Sequence, residues 1–468
     1  MVAMRVRVLF GCLAIMASLV GTSGAEKFWK AGVARSNITP TNALWMGGYA
    51  GRNHPADGKA TDLWLKALAL EDAAGRRAVI ITADLLAIRG PLYSNCLPRL
   101  KARFGLEGQQ VLLTASHTHC GPLVPNWGRS LSALDASDRS ATEHYAEGLA
   151  HQVVETAGRA LAELKPVRLA AGQGSTGFGA NRRNDAEADR PRLVREGALV
   201  GPVEHSVPVL AVYGLDGKLT AVLFGYACHN TTLTRDFYQY CSDYAGFAQA
   251  ELEKSHPGAM ALFFVGCAGD QDPVVRGGLG LAERYGNMLA AAVEETLLAP
   301  PVPLAPTLKT AMETIPLNLG AVPGEADLLP LTTNQTAYIR RWATGLLADI
   351  KAGRAIERSY PYPVQVWQLG QQRLITLGGE PVVDYALKFK REFGPQTWVA
   401  GYANEVMCYI PSLRVLNEDK PPVASKSWGY EGSQAMMVLG LPAWRWADDV
   451  EDAITASVER LAKQAAAP

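Results

Sequence analysis

Short apolar runs alternate with helical-period segments along most of this chain, and the runs stop at polar turns. Residues 78–86 (AVIITADLL), Val111–Ala115, Leu219–Tyr226 and Met260–Val265 are brief and rich in residues that suit a pleated sheet. Residues 91–104, 142–163, 244–254 and Leu279–Leu298 carry apolar residues at the 3.6-residue period. Such alternation predicts an α/β protein with mixed, largely parallel sheets flanked by helices. Further strands are expected over 31–38, 63–70, 167–172, 207–213, 308–317 and 398–402, with a hairpin over 364–377. Helices are expected over 337–352, 382–393 and 447–463. The 45 Gly and 28 Pro supply turns for so many short elements. Residues 300–306 hold four prolines, the best linker candidate, which either separates two lobes or lies within a single intertwined unit, 26–468.

Residues 1–25 have the layout of a secretory signal. Arg5 and Arg7 precede an apolar stretch over 8–20, and Ser23-Gly24-Ala25 offers a cleavage site. Export, into a periplasm or out of the cell, is the expectation. Lys plus Arg and Asp plus Glu both number 45, so no bulk positive charge is present to bind nucleic acid. A hydrophobic fraction of 48% excludes a largely disordered chain. Beyond Cys12 of the signal stand Cys96, Cys120, Cys228, Cys241, Cys267 and Cys408, with no CxxC pair. A chain of this size needs no disulfide staples, so buried free thiols are expected.

There are only eight histidines, and their positions carry the chemistry. His117 and His119 follow Val111–Ala115 directly, where an extended backbone would point both to one side. Ligand sites of open α/β sheets gather at such carboxyl ends of strands. His229 comes after Leu219–Tyr226, and Glu380 after a strand and two glycines, whose small size permits close approach. Two imidazoles and a carboxylate form a common catalytic zinc set. Asp270 and Asp272 close a fourth strand, either facing the site or capping a helix. Asp84 ends a strand too, and is a candidate to orient a metal-bound imidazole.

These residues resemble the catalytic N-terminal domain of neutral/alkaline, non-lysosomal ceramidases, over about residues 32–432. The resemblance rests on Ile38-Thr39-Pro40, Met46-Gly47-Gly48-Tyr49, Ala83-Asp84-Leu85 and above all His117-Thr118-His119-Cys120-Gly121-Pro122, where the family has HTHSGP. It extends to Asn181-Arg182, His229, Gly269-Asp270, Gly379-Glu380 and Tyr430-Glu431. The resemblance implies a zinc amidohydrolase that cleaves the N-acyl amide of ceramide or a related lipid. It implies zinc ligands His117, His229, Glu380 and Tyr409, the last from Asn404-Glu405-Val406-Met407-Cys408-Tyr409-Ile410. It also implies that His119, Arg182 and Tyr430 contact substrate and stabilise the oxyanion. A lipid substrate would bring peripheral contact with a membrane surface. Asp272 stands where the family has a serine, Cys120 replaces the serine of HTHSGP, and 411–427 form the loop after the tyrosine. A carboxylate at 272 is expected to shuttle a proton to the leaving amine. Three alternatives remain at this stage: a zinc esterase or amidase with a non-ceramide substrate, a non-catalytic lipid- or glycan-binding protein, and a hydrolase using the Cys120 thiolate.

Overall fold

The computed structural model describes residues 27–125, 134–418 and 429–466. The expected signal over 1–25 and residues 419–427 of the 411–427 loop lie outside the described residues.

Two sheets lie face to face with helices on their outer sides. The larger, nine-stranded sheet runs in the order Met260–Val265, Leu219–Tyr226, Ser206–Gly214, Lys165–Ser175, Trp29–Asn37, Trp64–Glu71, Arg77–Ala83, Val111–Ala115. The ninth strand, Val302–Pro303, pairs with Lys165–Ser175. The smaller sheet orders Leu308–Asn318, Ser359–Leu369, Gln372–Leu377 and Trp398–Ala400.

Alternation along Arg77–Ala83 shows why four layers form. Val79 and Ile81 join the core beneath the helices Gly90–Phe104 and Ala136–Ala162. Ala78 and Ile80 face the other way, into a core shared with Trp367, Leu374 and Trp398 of the smaller sheet. Both faces of the strand are apolar, so both must be covered. The helices Asp243–Ser255 and Leu279–Leu298 cover the far half of the large sheet. Val450–Ala466 covers the small one.

The sheets are mixed, as expected, but most of their pairings are antiparallel. Parallel pairing joins Arg77–Ala83 to Val111–Ala115, Met260–Val265 to Leu219–Tyr226, and Gln372–Leu377 to Trp398–Ala400. Several antiparallel pairs are joined by short connections such as Asp216-Gly217, which turn the chain straight back as only an antiparallel pair allows. The proline-rich stretch lies between Met260–Val265 of the large sheet and the first strand of the small one, and it is tied down. Val302–Pro303 extends the large sheet, and the Trp29 indole donates to the Leu304 carbonyl at 3.0 Å. Among the described residues no helix is long and apolar enough to cross a membrane.

Candidate active site

Strand ends from both sheets meet in one place. His117 and His229 leave the large sheet, while Glu380 follows Gln372–Leu377 of the small one. Glu380 and Tyr409 then sit opposite each other in a two-residue parallel pair.

The HxH segment is not extended. His117 has φ 59°, so the chain turns there, a conformation costly for a residue with a Cβ. The turn, and not the pleat, brings His117 Nε2 to 3.2 Å from His119 Nε2. His117 Nδ1 lies 2.7 Å from the Leu86 carbonyl oxygen, and His229 Nδ1 2.7 Å from that of Ala268. A carbonyl can only accept, so each Nδ1 carries the proton and each Nε2 presents a lone pair. Both Nε2 atoms stand 3.4 Å from Glu380 Oε2. That oxygen is buried and has no hydrogen-bond donor. It meets lone pairs on two sides, an arrangement that is expensive as it stands and that a cation relieves.

The protonation states agree. Burial pushes His117 down to about 3 and His119 well below the usual imidazole value, so both are neutral and able to ligate. Burial alone would raise the Glu380 carboxyl. Positive charge among the facing imidazoles of His117 and His229, with the Tyr409 hydroxyl, outweighs burial and brings it to about 2, so the carboxyl is an anion wherever a cation sits among them. The Tyr409 hydroxyl is 3.0 Å from His229 Nε2. Burial, and then Glu380, hold that phenol well above its usual range. Ligand atoms of His117, His119 and His229 lie within 4.8 Å of one another, and all three residues are buried.

His119 differs from the other two. Its Nδ1 is buried without a partner, so no carbonyl fixes its tautomer. Its ring packs on Tyr49 at 4.7 Å.

Arg182 is held from two sides. Its Nε donates to Glu431 at 2.7 Å, and its Nη1 lies 3.3 Å from Asp272 and 3.4 Å from His229 Nε2. Its Nη2 is buried with no partner. The guanidinium sits over the rings of Tyr409 and Tyr430, at 5.4 and 5.9 Å. Tyr430 stands at the rim, 40% exposed.

Asp272 does not cap a helix. The next helix starts at Leu279 with Gly278 before it, and the strand pairing sets Asp272 across from Ala180, two residues from Arg182. Asp272 pairs with Arg182 at 3.3 Å and Arg190 at 3.9 Å. Burial would raise its carboxyl, but Arg182, His229, Arg276 and Arg190 hold it below the usual carboxylate range. It is therefore a weaker base than the sequence alone suggests, and it anchors Arg182.

Two other expectations change. Asp84 accepts from the Trp64 amide at 2.9 Å and ties two strands together, and a backbone carbonyl orients His117 instead. Cys120 is fully buried and its thiol is pushed up, chiefly by burial, which disfavours a thiolate at this position. The six cysteines described are free and buried.

Tyr402 was not among the expected site residues. It has φ 53°, its ring lies 4.4 Å from His117, and its buried hydroxyl has no partner. It follows Trp398–Ala400, another strand end, so the pattern that marked the histidines marked it too. Glu431 matched the family but gave no hint that it would grip both Arg182 and Arg183.

Residues 29–283, more than half of the chain, match the family described as neutral/alkaline non-lysosomal ceramidase, N-terminal. The chain belongs to that family. The neutral ceramidase of Pseudomonas aeruginosa is 28% identical over 255 residues, which is 52% of this chain and 37% of the relative. That of Drosophila pseudoobscura pseudoobscura is 25% identical over 286 residues, 58% of this chain and 39% of the relative. The matched stretch thus spans well under half the length of these curated relatives. The crystal structure of the Pseudomonas aeruginosa enzyme superimposes with a TM-score of 0.67 at 20% identity, covering 93% of this chain and 75% of that one. A ceramidase complexed with C2 gives 0.66 at 20% identity, covering 93% and 76%. Shared fold extends beyond the family match, because the structural superposition also takes in the half of the chain that carries Glu380 and Tyr409.

Proposed function

We propose that this ceramidase-family protein is an exported, zinc-dependent amidohydrolase that cleaves the N-acyl amide of ceramide or a related lipid. The observation that carries the reading is the donorless Glu380 Oε2, faced at 3.4 Å by the lone pairs of His117 and His229. His117, His229, Glu380 and Tyr409 would hold the ion, a nitrogen and oxygen donor set that suits zinc. Zinc there supplies Lewis-acid activation of water at neutral pH.

The protein's own groups divide the rest of the work. Arg182 is fixed by Glu431 and Asp272, which leaves its Nη2 to donate to the amide oxygen as negative charge builds on it. His119, whose Nδ1 has no partner, carries the proton of the attacking water to the departing nitrogen. Tyr430 closes the exposed side of Arg182. The products are a carboxylic acid and an amine.

Metal analysis of the purified protein, joined to hydrolysis of short-chain N-acyl sphingosines and simple N-acyl amines, tests this. One zinc per chain is expected, with activity lost on chelation and restored by zinc. His117→Ala and His229→Ala should each lose the metal. A fully zinc-loaded protein that hydrolyses no amide in such a panel would overturn the catalytic reading.

A further inference from the structure

Arg52 is 6% exposed, and no carboxylate pairs with it among the described residues. A buried charge without a counter-ion is costly unless hydrogen bonds replace its hydration. Here every N–H of the guanidinium is engaged. Nη1 donates to the carbonyl oxygens of His119 at 2.6 Å and Gly47 at 2.8 Å. Nη2 donates to Phe237 O at 3.0 Å and contacts Cys120 Sγ at 3.8 Å. Nε reaches Arg235 O at 3.3 Å. One planar fork thus fastens three segments: the 46–52 loop, the turn of the histidine pair and the 233–238 loop.

The clamped loop forms the seat of the His119 ring. Gly48 has φ 96°, and a Cβ there would lie 2.4 Å from His119 Cγ and Nδ1. Tyr49, whose ring packs on His119, lies under the Arg52 guanidinium at 5.0 Å and donates to the Leu233 carbonyl at 2.9 Å. His117, His229, Glu380 and Tyr409 make no hydrogen bond to Arg52.

We infer that Arg52 is a positioning residue for His119, setting the imidazole against the substrate without supporting the metal. This rests on the reading of His119 as the proton carrier. Lysine is no substitute, because a point charge with three donors cannot span carbonyls that a planar fork reaches together.

The test compares Arg52→Lys and Arg52→Ala with the wild-type protein for zinc content, thermal midpoint, kcat and KM, and for the rate at which diethyl pyrocarbonate modifies His119, read by peptide mass mapping. Both variants should keep one zinc. In Arg52→Lys kcat should fall about 100-fold, the scale of a 1 Å misplacement, while KM stays within about threefold. Guanidinium ion should restore part of kcat in Arg52→Ala. His119 should be modified several-fold faster in either variant. Unchanged kcat in a folded variant, or loss of zinc together with kcat, overturns the assignment. Should the wild type hydrolyse no amide, the proposed function fails and the His119 modification rate alone decides: an unchanged rate in Arg52→Lys rejects the clamp. If Arg52→Ala does not fold, Arg52→Lys carries every readout except rescue.

Discussion

At the scale of single residues, the fate of Asp272 shows how one ion pair redirects a role. A carboxylate beside a metal centre is a natural proton carrier, but this one is committed to Arg182 and Arg190. Its value lies in holding Arg182 so that Nη2 stays buried and unpaired. Asp272→Asn keeps the shape and removes the charge, while Glu431 still holds the other side of the guanidinium. Zinc content should be unchanged. A charged hydrogen bond contributes about 1.5–3 kcal/mol, so kcat should fall about ten- to hundred-fold. The acidic limb of the pH–kcat profile should survive, because in the proposed reaction His119, and not Asp272, moves the proton. Disappearance of that limb in Asp272→Asn would return the proton-carrying role to this carboxylate.

At the scale of elements, the strand ends were legible because a buried strand must stop where polar groups begin, and a ligand site needs both. Val111–Ala115, Leu219–Tyr226 and Gln372–Leu377 announced His117, His229 and Glu380 in this way. Pairing direction was not legible. A run of valine and isoleucine buried on both faces looks the same in either kind of pair, and only the connection length separates them. Nor was the backbone at His117 legible, since a left-handed histidine is stabilised by contacts distant in sequence. The grip of Arg52 is not legible in the sequence, because its partners are mostly main-chain carbonyls, which no side-chain pattern advertises. The two glycines before Glu380 are small enough for close approach, and one of them also needs a left-handed backbone. Gly379 has φ 67°, and a Cβ there would come within 2.5 Å of Ile410 Cγ1 and 2.7 Å of the Cys408 carbonyl oxygen. Those atoms flank Tyr409, so Gly379→Ala should push the Glu380 pair away from it. A stability loss of more than about 1 kcal/mol is expected, given a left-handed position with no free space. Zinc should be lost on dialysis that leaves the wild type loaded. Full retention of zinc by Gly379→Ala would show that the Glu380–Tyr409 pairing is not needed to hold the ion.

At the scale of the whole molecule, the site lies on the seam between two sheets, and contacts tie the sheets together along it. The proline-rich stretch that suggested two lobes adds a strand to the large sheet. Asp72, at the end of Trp64–Glu71, accepts from the Leu308 amide at 2.9 Å as the small sheet begins. Between the sheets one apolar core mixes Trp29, Leu112, Leu210 and Leu223 with Trp367, Leu374 and Trp398. Neither sheet can leave the other without exposing that layer, so each is a poor candidate for independent stability. A metal held as proposed would reinforce the same seam, because His117 and His229 follow strands of the large sheet while Glu380, in its own short pair with Tyr409, follows a strand of the small one. Two consequences follow for unfolding in denaturant. Far-ultraviolet dichroism and tryptophan fluorescence should report one coincident transition, since tryptophans lie on both sides of the shared core. Adding zinc to the metal-free protein should move that transition as a unit, by about 4 kcal/mol at a thousandfold excess over the dissociation constant. Two resolved transitions, with only one of them sensitive to zinc, would mean that the lobes fold separately and that all four ligands stand on one of them. A single transition indifferent to zinc would take the metal off the seam altogether.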